Sequence, residues 1–195
     1  MTPADVVNQA IEYSGNQASV TYAGGVWGGQ AAAANAAAVL YVPTWQMVAR
    51  QLDPDFARRT LPLTVVGGTL PPGWAYEYGY PADCLRLRCL APAPGSYDPF
   101  DPQLIRGNVA LDVIGSTPTK VIFTNQQGAL GVYTSSNVTE DQWDTLFLQS
   151  VARQLANPMS MALEGRPDYA RELLAQALQY EQMSELDDES STGGG

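Results

Sequence analysis

Histidine is absent from the 195 residues, and lysine occurs once, at Lys120. Such a chain has no Ser-His-Asp or Cys-His machinery, no histidine-ligated zinc and no imidazole base working near neutral pH. Charge is scarce, at 15% of residues, and positive charge is scarcer: ten basic residues face twenty acidic ones, for a formal net charge of −10. A phosphate backbone is gripped mainly by Lys and Arg displacing counterions, so bound DNA or RNA is not expected. Cysteine is limited to Cys84 and Cys89. Five positions apart on one extended strand, they point to opposite faces and are awkward to bridge, which predicts free thiols in a reducing compartment. Long apolar runs are missing too, because the longest, Ala31 to Val42, is interrupted by Asn35 and is too short to span a bilayer. The start, Met1-Thr2-Pro3-Ala4-Asp5, lacks the basic residues and apolar core of a signal peptide, so a soluble protein with no membrane partner is expected. What is present is 45% hydrophobic, enough for one domain with a real core.

The charge is unevenly spread. Residues 1–139 hold seven basic and nine acidic side chains, a balance of −2, whereas residues 140–195 hold three and eleven, a balance of −8. The bland reading is a solvated helix surface with an acidic tail. The functional one is an acidic surface presented to something that must not stick.

The N-terminal part reads as helical. Thr2 as N-cap, Pro3 at the first helical position and Val6, Val7, Ala10 and Ile11 as a stripe predict a helix to about Tyr13, stopped by Gly15. Gly24 to Gly29 lacks the Lys-Ser/Thr of a phosphate loop and predicts a mobile loop with Trp27 as a packing anchor. The alanine-rich run from Gln30 predicts a helix toward Val42, a bend or break at Pro43, and a further helix through Trp45, Val48, Ala49 and Leu52 that ends near Asp53-Pro54. Leu61-Pro62 closes this part. Between Thr64 and Thr134 the period shortens, predicting strands over Cys84 to Leu90, Val109 to Ile114, Lys120 to Thr124 and Ala129 to Thr134, with a hairpin turn at Asn125 to Gly128. Thr139 and Gln142 form a capping box for a helix whose stripe is Trp143, Leu146, Phe147, Val151 and Leu155, with a break at Asn157-Pro158. Pro167 opens a last helix with Tyr169, Leu173, Leu174, Ala177 and Leu178 as its apolar face. The run Asp187 to Gly195 is disordered on composition and would be ordered only under a partner chain.

The most distinctive segment is Gly73-Trp74-Ala75-Tyr76-Glu77-Tyr78-Gly79-Tyr80-Pro81-Ala82-Asp83-Cys84-Leu85-Arg86. In extended form Trp74, Tyr76, Tyr78 and Tyr80 face one way, and such an aromatic row is more often a core or subunit seam than a sugar or base platform. Added to it are a strand pair ending in Tyr133, a Trp143-Asp144-x-x-Phe147 helix with Leu155-Ala156, and the upstream run Asn35-Ala36-Ala37-Ala38-Val39-Leu40-Tyr41 before the Trp45 helix. This ordered set resembles the head-to-tail adaptor proteins of short-tailed (podovirus-type) bacteriophages, the tail tubular protein A family, over roughly residues 30 to 180.

The resemblance implies an α+β, mainly α fold: a helical bundle carrying an inserted antiparallel β-structured portion. On that expectation residues 1–180 form a single adaptor domain, with helices over about 3–60 and 140–182, a β-rich insert over about 64–134, and a tail at 181–195 docking on a partner. It implies a virion component in the neck of the tail, assembled in the bacterial host cytoplasm. Partners would be about eleven further copies in a ring, the portal protein, and the tail nozzle or tail tubular protein B. DNA would pass through the lumen without sequence-specific binding, and an acidic lumen would keep it from sticking. The packing or interface candidates are Trp74, Tyr76, Tyr78, Tyr80, Trp143 and Phe147, and by resemblance the portal contacts are Tyr180, Met183, Leu186, Asp187, Asp188 and Glu189. No cofactor, metal or catalytic residue is expected.

The alternative is a tail-associated protein that binds glycans through the aromatic row or cleaves cell wall with two carboxylates, Glu77 with Asp83 or Asp98 with Asp101. The Asp98 and Asp101 pair reads more simply as successive Asp-Pro turns. Asp187-Asp188-Glu189 could hold a divalent cation weakly. Lys120 reads as a strand-edge charge.

Overall fold

The structure, a computed structural model, describes residues 1–92, 105, 107–114 and 116–164. They fall into two compact units, one made of Met1–Trp45 with the chain from Leu148 onward, the other of Gln46–Phe147. Among the described residues there are three α-helices and eight β-strands, the strands forming three antiparallel sheets. The expected mainly-α bundle is therefore overturned. The sheets are not confined to the middle of the chain, because strands also occupy positions assigned to helix and loop on either side of the alanine-rich run.

In the first unit, helix α1 (Pro3–Tyr13) starts where the sequence predicts. The Thr2 hydroxyl accepts from the Asp5 amide at 3.3 Å, and Asp5 Oδ2 accepts from the Thr2 amide at 2.7 Å, a reciprocal cap. The helix buries Ala4, Val6, Val7, Ala10 and Ile11. Asn8 on its flank holds the next element: its side chain donates to the Val20 carbonyl at 3.0 Å and accepts from the Val20 amide at 2.9 Å. Strands β1 (Val20–Ala23) and β2 (Val26–Gly29) pair around Gly24-Gly25, whose φ angles of 57° and 83° suit a tight hairpin turn. The glycine-rich stretch is thus a hairpin and not a loop. Trp27 is its anchor, packed 4.7 Å from Tyr22 and edge-on to Tyr41 at 5.4 Å between ring centroids.

Helix α2 (Ala31–Leu52) runs through Pro43, and α3 (Thr145–Glu164) runs through Pro158, so neither proline breaks its helix as expected. Proline frees the carbonyl four residues back. Pro43 and Val39 are both exposed, so the freed carbonyl belongs to the solvent-facing side of α2, where a proline is tolerated best. The Thr139–Gln142 capping box forms, but it caps only a single 3₁₀ turn, Glu140–Gln142. Trp143 is extended, and Asp144 then caps α3 by accepting from the Phe147 amide at 2.7 Å. Two caps in series replace the one long helix start, and Leu146, assigned to the buried stripe, is 77% exposed.

The second unit is a small barrel. Strands β3 (Arg58–Pro62), β8 (Leu130–Ser135) and β5 (Cys84–Ala91) form one sheet with β8 central, and β4 (Tyr76–Gly79), β7 (Thr117–Thr124) and β6 (Gly107–Ile114) form another with β7 central. Bridges Val65 to Tyr78 and Leu90 to Ile105 join the sheets at both edges, closing the strands into a ring. The interior is Leu63, Tyr78, Leu90, Ile122 and Ala129, flanked by Tyr76, Tyr80, Leu87 and Ile105. Leu61-Pro62, expected to close a helical region, ends strand β3 instead. Asn125 to Gly128 is not a hairpin turn, since β7 and β8 belong to different sheets and the turn hands the chain from one to the other. No helix among the described residues is long and apolar enough to cross a membrane.

Candidate functional site

The aromatic row folds into the barrel. Tyr76 and Tyr78 lie on one face of β4 as the spacing predicts, with ring centroids 6.3 Å apart. Tyr78 is fully buried, and its hydroxyl accepts from the amides of Gly128 at 2.8 Å and Ala129 at 3.4 Å while donating to the Gln126 carbonyl at 3.0 Å. Tyr80 is half-buried beneath Lys120, whose Nζ sits 3.9 Å above the ring centroid. Lys120 lies on the central strand β7, so it is not the strand-edge charge the sequence suggested. Trp74 precedes the strand and is half-buried. Trp143 and Phe147 meet edge-to-face at 4.9 Å, and Phe56 completes the group 5.0 Å from Phe147. Tyr180, Met183, Leu186, Asp187, Asp188 and Glu189 lie outside the described residues, as do Asp98, Asp101 and the helix expected after Pro167.

Glu77 and Asp83 do not form an acid pair, because each has its own surroundings. Asp83 is a tie: Tyr133 donates its hydroxyl to Oδ1 at 3.0 Å, Ser135 donates to Oδ2 at 2.6 Å, and the Ser136 amide donates to its carbonyl at 2.7 Å. Burial, and then the Asp83 carboxylate, push the Tyr133 hydroxyl up to about 12. Burial also raises the thiols of Cys84 and Cys89, both free, which makes them poor nucleophiles.

Two groupings escaped the sequence. Glu77, 2% exposed on β4, shares its site with Asp112 of β6 under the Gly67-Gly68 segment. A Cβ at Gly68 would clash with Glu77 Oε2 and come within 2.6 Å of Asp112 Oδ2, so a larger residue there would push the two carboxyl groups aside. Both Glu77 oxygens and Asp112 Oδ2 are buried without a hydrogen bond of good geometry among the described residues. Burial raises the Glu77 carboxyl, the Asp112 charge raises it further, and the Gly68 amide opposes both only weakly. A carboxyl raised on folding leaves stability intact below its unfolded value and erodes it as pH climbs through the folded one. Glu77→Gln is therefore expected to stabilise the protein at neutral pH and to flatten that upward-pH loss, read as urea midpoints from pH 4 to 8; an unchanged slope counts against a shifted Glu77.

The second grouping pins the end of α2. Asp53 sits at φ 47°, the left-handed position that follows many helices and usually holds Gly or Asn. Its Oδ1 meets Arg88 Nε at 3.0 Å and accepts from the Thr134 hydroxyl at 2.8 Å, and its Oδ2 meets Arg58 at 3.0 Å. Arg88 also donates to the Arg50 carbonyl at 2.9 Å, covering a helix C-terminal acceptor. Burial lifts the Asp53 carboxyl, but Thr134 and the two guanidinium groups outweigh it and leave it below the usual range.

The Asp53 grouping is held by two guanidinium groups and a hydroxyl, whereas the Glu77 grouping brings two carboxyl groups together. Among the described residues no three His, Cys, Asp or Glu side chains gather into a metal-holding group. No protein-family model matches the chain, and no curated protein matches it.

Proposed function

We propose that this protein is a structural subunit of the neck of a short-tailed bacteriophage, a head-to-tail adaptor that forms a ring between the portal and the tail nozzle and performs no catalysis. The observation that carries the reading is the ordered residue set from the alanine run to the Trp143–Phe147 segment. The use the fold makes of that set supports an architectural role. Tyr78 fills the barrel with Tyr76 and Tyr80 packed against it, Asp83 and Tyr133 tie its strands, and Trp143 with Phe147 forms a second aromatic group. A glycan platform would need the faces of Tyr76, Tyr78 and Tyr80 open to solvent, whereas Tyr78 is buried in the interior cluster and Tyr76 and Tyr80 are partly buried against it.

The acidity fits a conduit. At −10 per chain, about twelve copies would bring a ring to roughly −120, enough to repel a passing phosphate backbone wherever these groups face the lumen. Ring particles of about a dozen subunits are expected in electron micrographs of the purified protein mixed with portal. Trimers, or single chains that leave the portal bare, would sink the adaptor reading.

A further inference from the structure

Two acids of the barrel share one site with no base to balance them. Glu77 of β4 and Asn108 of β6 both pair with Phe123 of β7, so strand alternation puts Asp112, four residues past Asn108, on the same face of the sheet as Glu77. Tyr78 and Ile122, which belong to the interior cluster, lie on the other face. A Cβ at Gly68 would meet Glu77 Oε2 and Asp112 Oδ2 together. These oxygens therefore stand within about 5 Å of one another, the most that two oxygens bound to one calcium ion at about 2.3–2.6 Å can be apart.

The surroundings leave three oxygens without a partner. Glu77 is 2% exposed, and neither of its oxygens nor Asp112 Oδ2 has a hydrogen bond of good geometry among the described residues. Asp112 Oδ1 accepts from the Val113 amide at 2.7 Å, which leaves Oδ2 for the Glu77 side. Ion pairs among the described residues end on Asp53 and Asp55, and none reaches Glu77 or Asp112. Burying ionised carboxylates in this way is costly unless something compensates them. A proton shared between Oε2 and Oδ2 would remove one charge but leave Oε1 without a partner. A divalent cation would neutralise both charges and give all three oxygens a ligand bond at once.

We infer that Glu77 and Asp112 form a calcium site, Glu77 chelating through Oε1 and Oε2 and Asp112 binding through Oδ2. The donors are all oxygen, with no thiol or imidazole, the set suited to a hard cation. Calcium fits better than magnesium because its irregular shell accepts a bidentate carboxylate, whereas magnesium keeps several waters and the Glu77 side is closed to solvent. Asp112 is half-buried, so water completes the shell from its side. With two carboxylates, a Kd of about 0.1–1 mM is expected. The bound ion would tie β4 to β6 beneath the segment that follows β3, whether or not the chain forms a ring.

Thermal unfolding of the full chain tests this. Adding about 10 mM calcium chloride to protein stripped with EDTA should raise the wild-type midpoint by at least about 3 °C over sodium chloride of equal ionic strength. Glu77→Gln and Asp112→Asn should each lose most of that rise. Both variants keep the acidic run Asp187-Asp188-Glu189, so weak binding there is common to all three proteins. Titration calorimetry should find one calcium per wild-type chain, bound at least tenfold more weakly by Glu77→Gln. A wild-type midpoint that calcium leaves unmoved overturns the site, as does an equal rise in either variant or in magnesium chloride. Loss of the pH slope in Glu77→Gln without any calcium effect on the wild type would overturn it in favour of a shared proton.

Discussion

Tyr78→Ala is expected to cost about 3–5 kcal/mol, the range for deleting a large buried aromatic ring. The ring is enclosed by both sheets of the barrel, so its loss leaves a cavity that neither sheet can close alone. Its hydroxyl adds a separate contribution, because it is the shared partner of the Gly128 and Ala129 amides. Tyr78→Phe keeps the packing and strands those donors, which predicts a loss of about 1–3 kcal/mol. Urea unfolding of the three proteins separates the terms. If Tyr78→Phe matched the wild type, the hydroxyl would not be holding the turn.

Asp53→Ala is expected to cost about 2–4 kcal/mol, somewhat under the range for breaking a buried ion pair because the carboxylate is 22% exposed. Three losses combine: the Arg88 and Arg58 pairs, the bond from Thr134, and the greater strain of alanine at positive φ. Asp53→Asn tolerates the same backbone and can still accept from Thr134, so it should lose about half as much. The pH dependence has a definite sign. Asp53 is held below its ordinary value on folding, so its stabilisation is full above the unfolded carboxyl value and disappears as pH falls through the folded one. The gap between wild type and Asp53→Ala should therefore begin to narrow as pH falls below about 4, the region of an unperturbed Asp, down to what the backbone strain of alanine leaves. A gap that stayed constant down to pH 2 would show the ion pairs to be irrelevant.

What the sequence revealed was what neighbouring residues decide. The cap of α1 needs only Thr2, Pro3 and Asp5, and it formed as read. The common face of Tyr76 and Tyr78 follows from strand alternation alone. The β1–β2 hairpin was missed although Gly24-Gly25 is a turn signal, because its arms are four residues each and mostly exposed, leaving no apolar alternation to notice. Strand β3 was missed for a similar reason: Arg58-Arg59-Thr60-Leu61-Pro62 has no strand pattern of its own and is an edge held by β8. The proline of α2 misleads because it stands on the exposed side of its helix, where a lost donor costs least. Neither buried grouping was legible, since Glu77 with Asp112, and Asp53 with Arg88 and Thr134, are joined by strand pairing across long separations.

The closure of the barrel has a consequence for how it opens. Residues just after β3 pair with β4, the turn after β7 feeds β8, and Tyr78 of one sheet fastens the start of the other. Neither sheet can peel away without breaking the bonds that begin the next. Amide protons of Val121 to Thr124 and of Leu130 to Ser135 should accordingly exchange with solvent deuterium through one shared opening event, at the same free energy. In the ring we propose, that coupling would make the barrel a single rigid stave and leave yielding to the joints between copies.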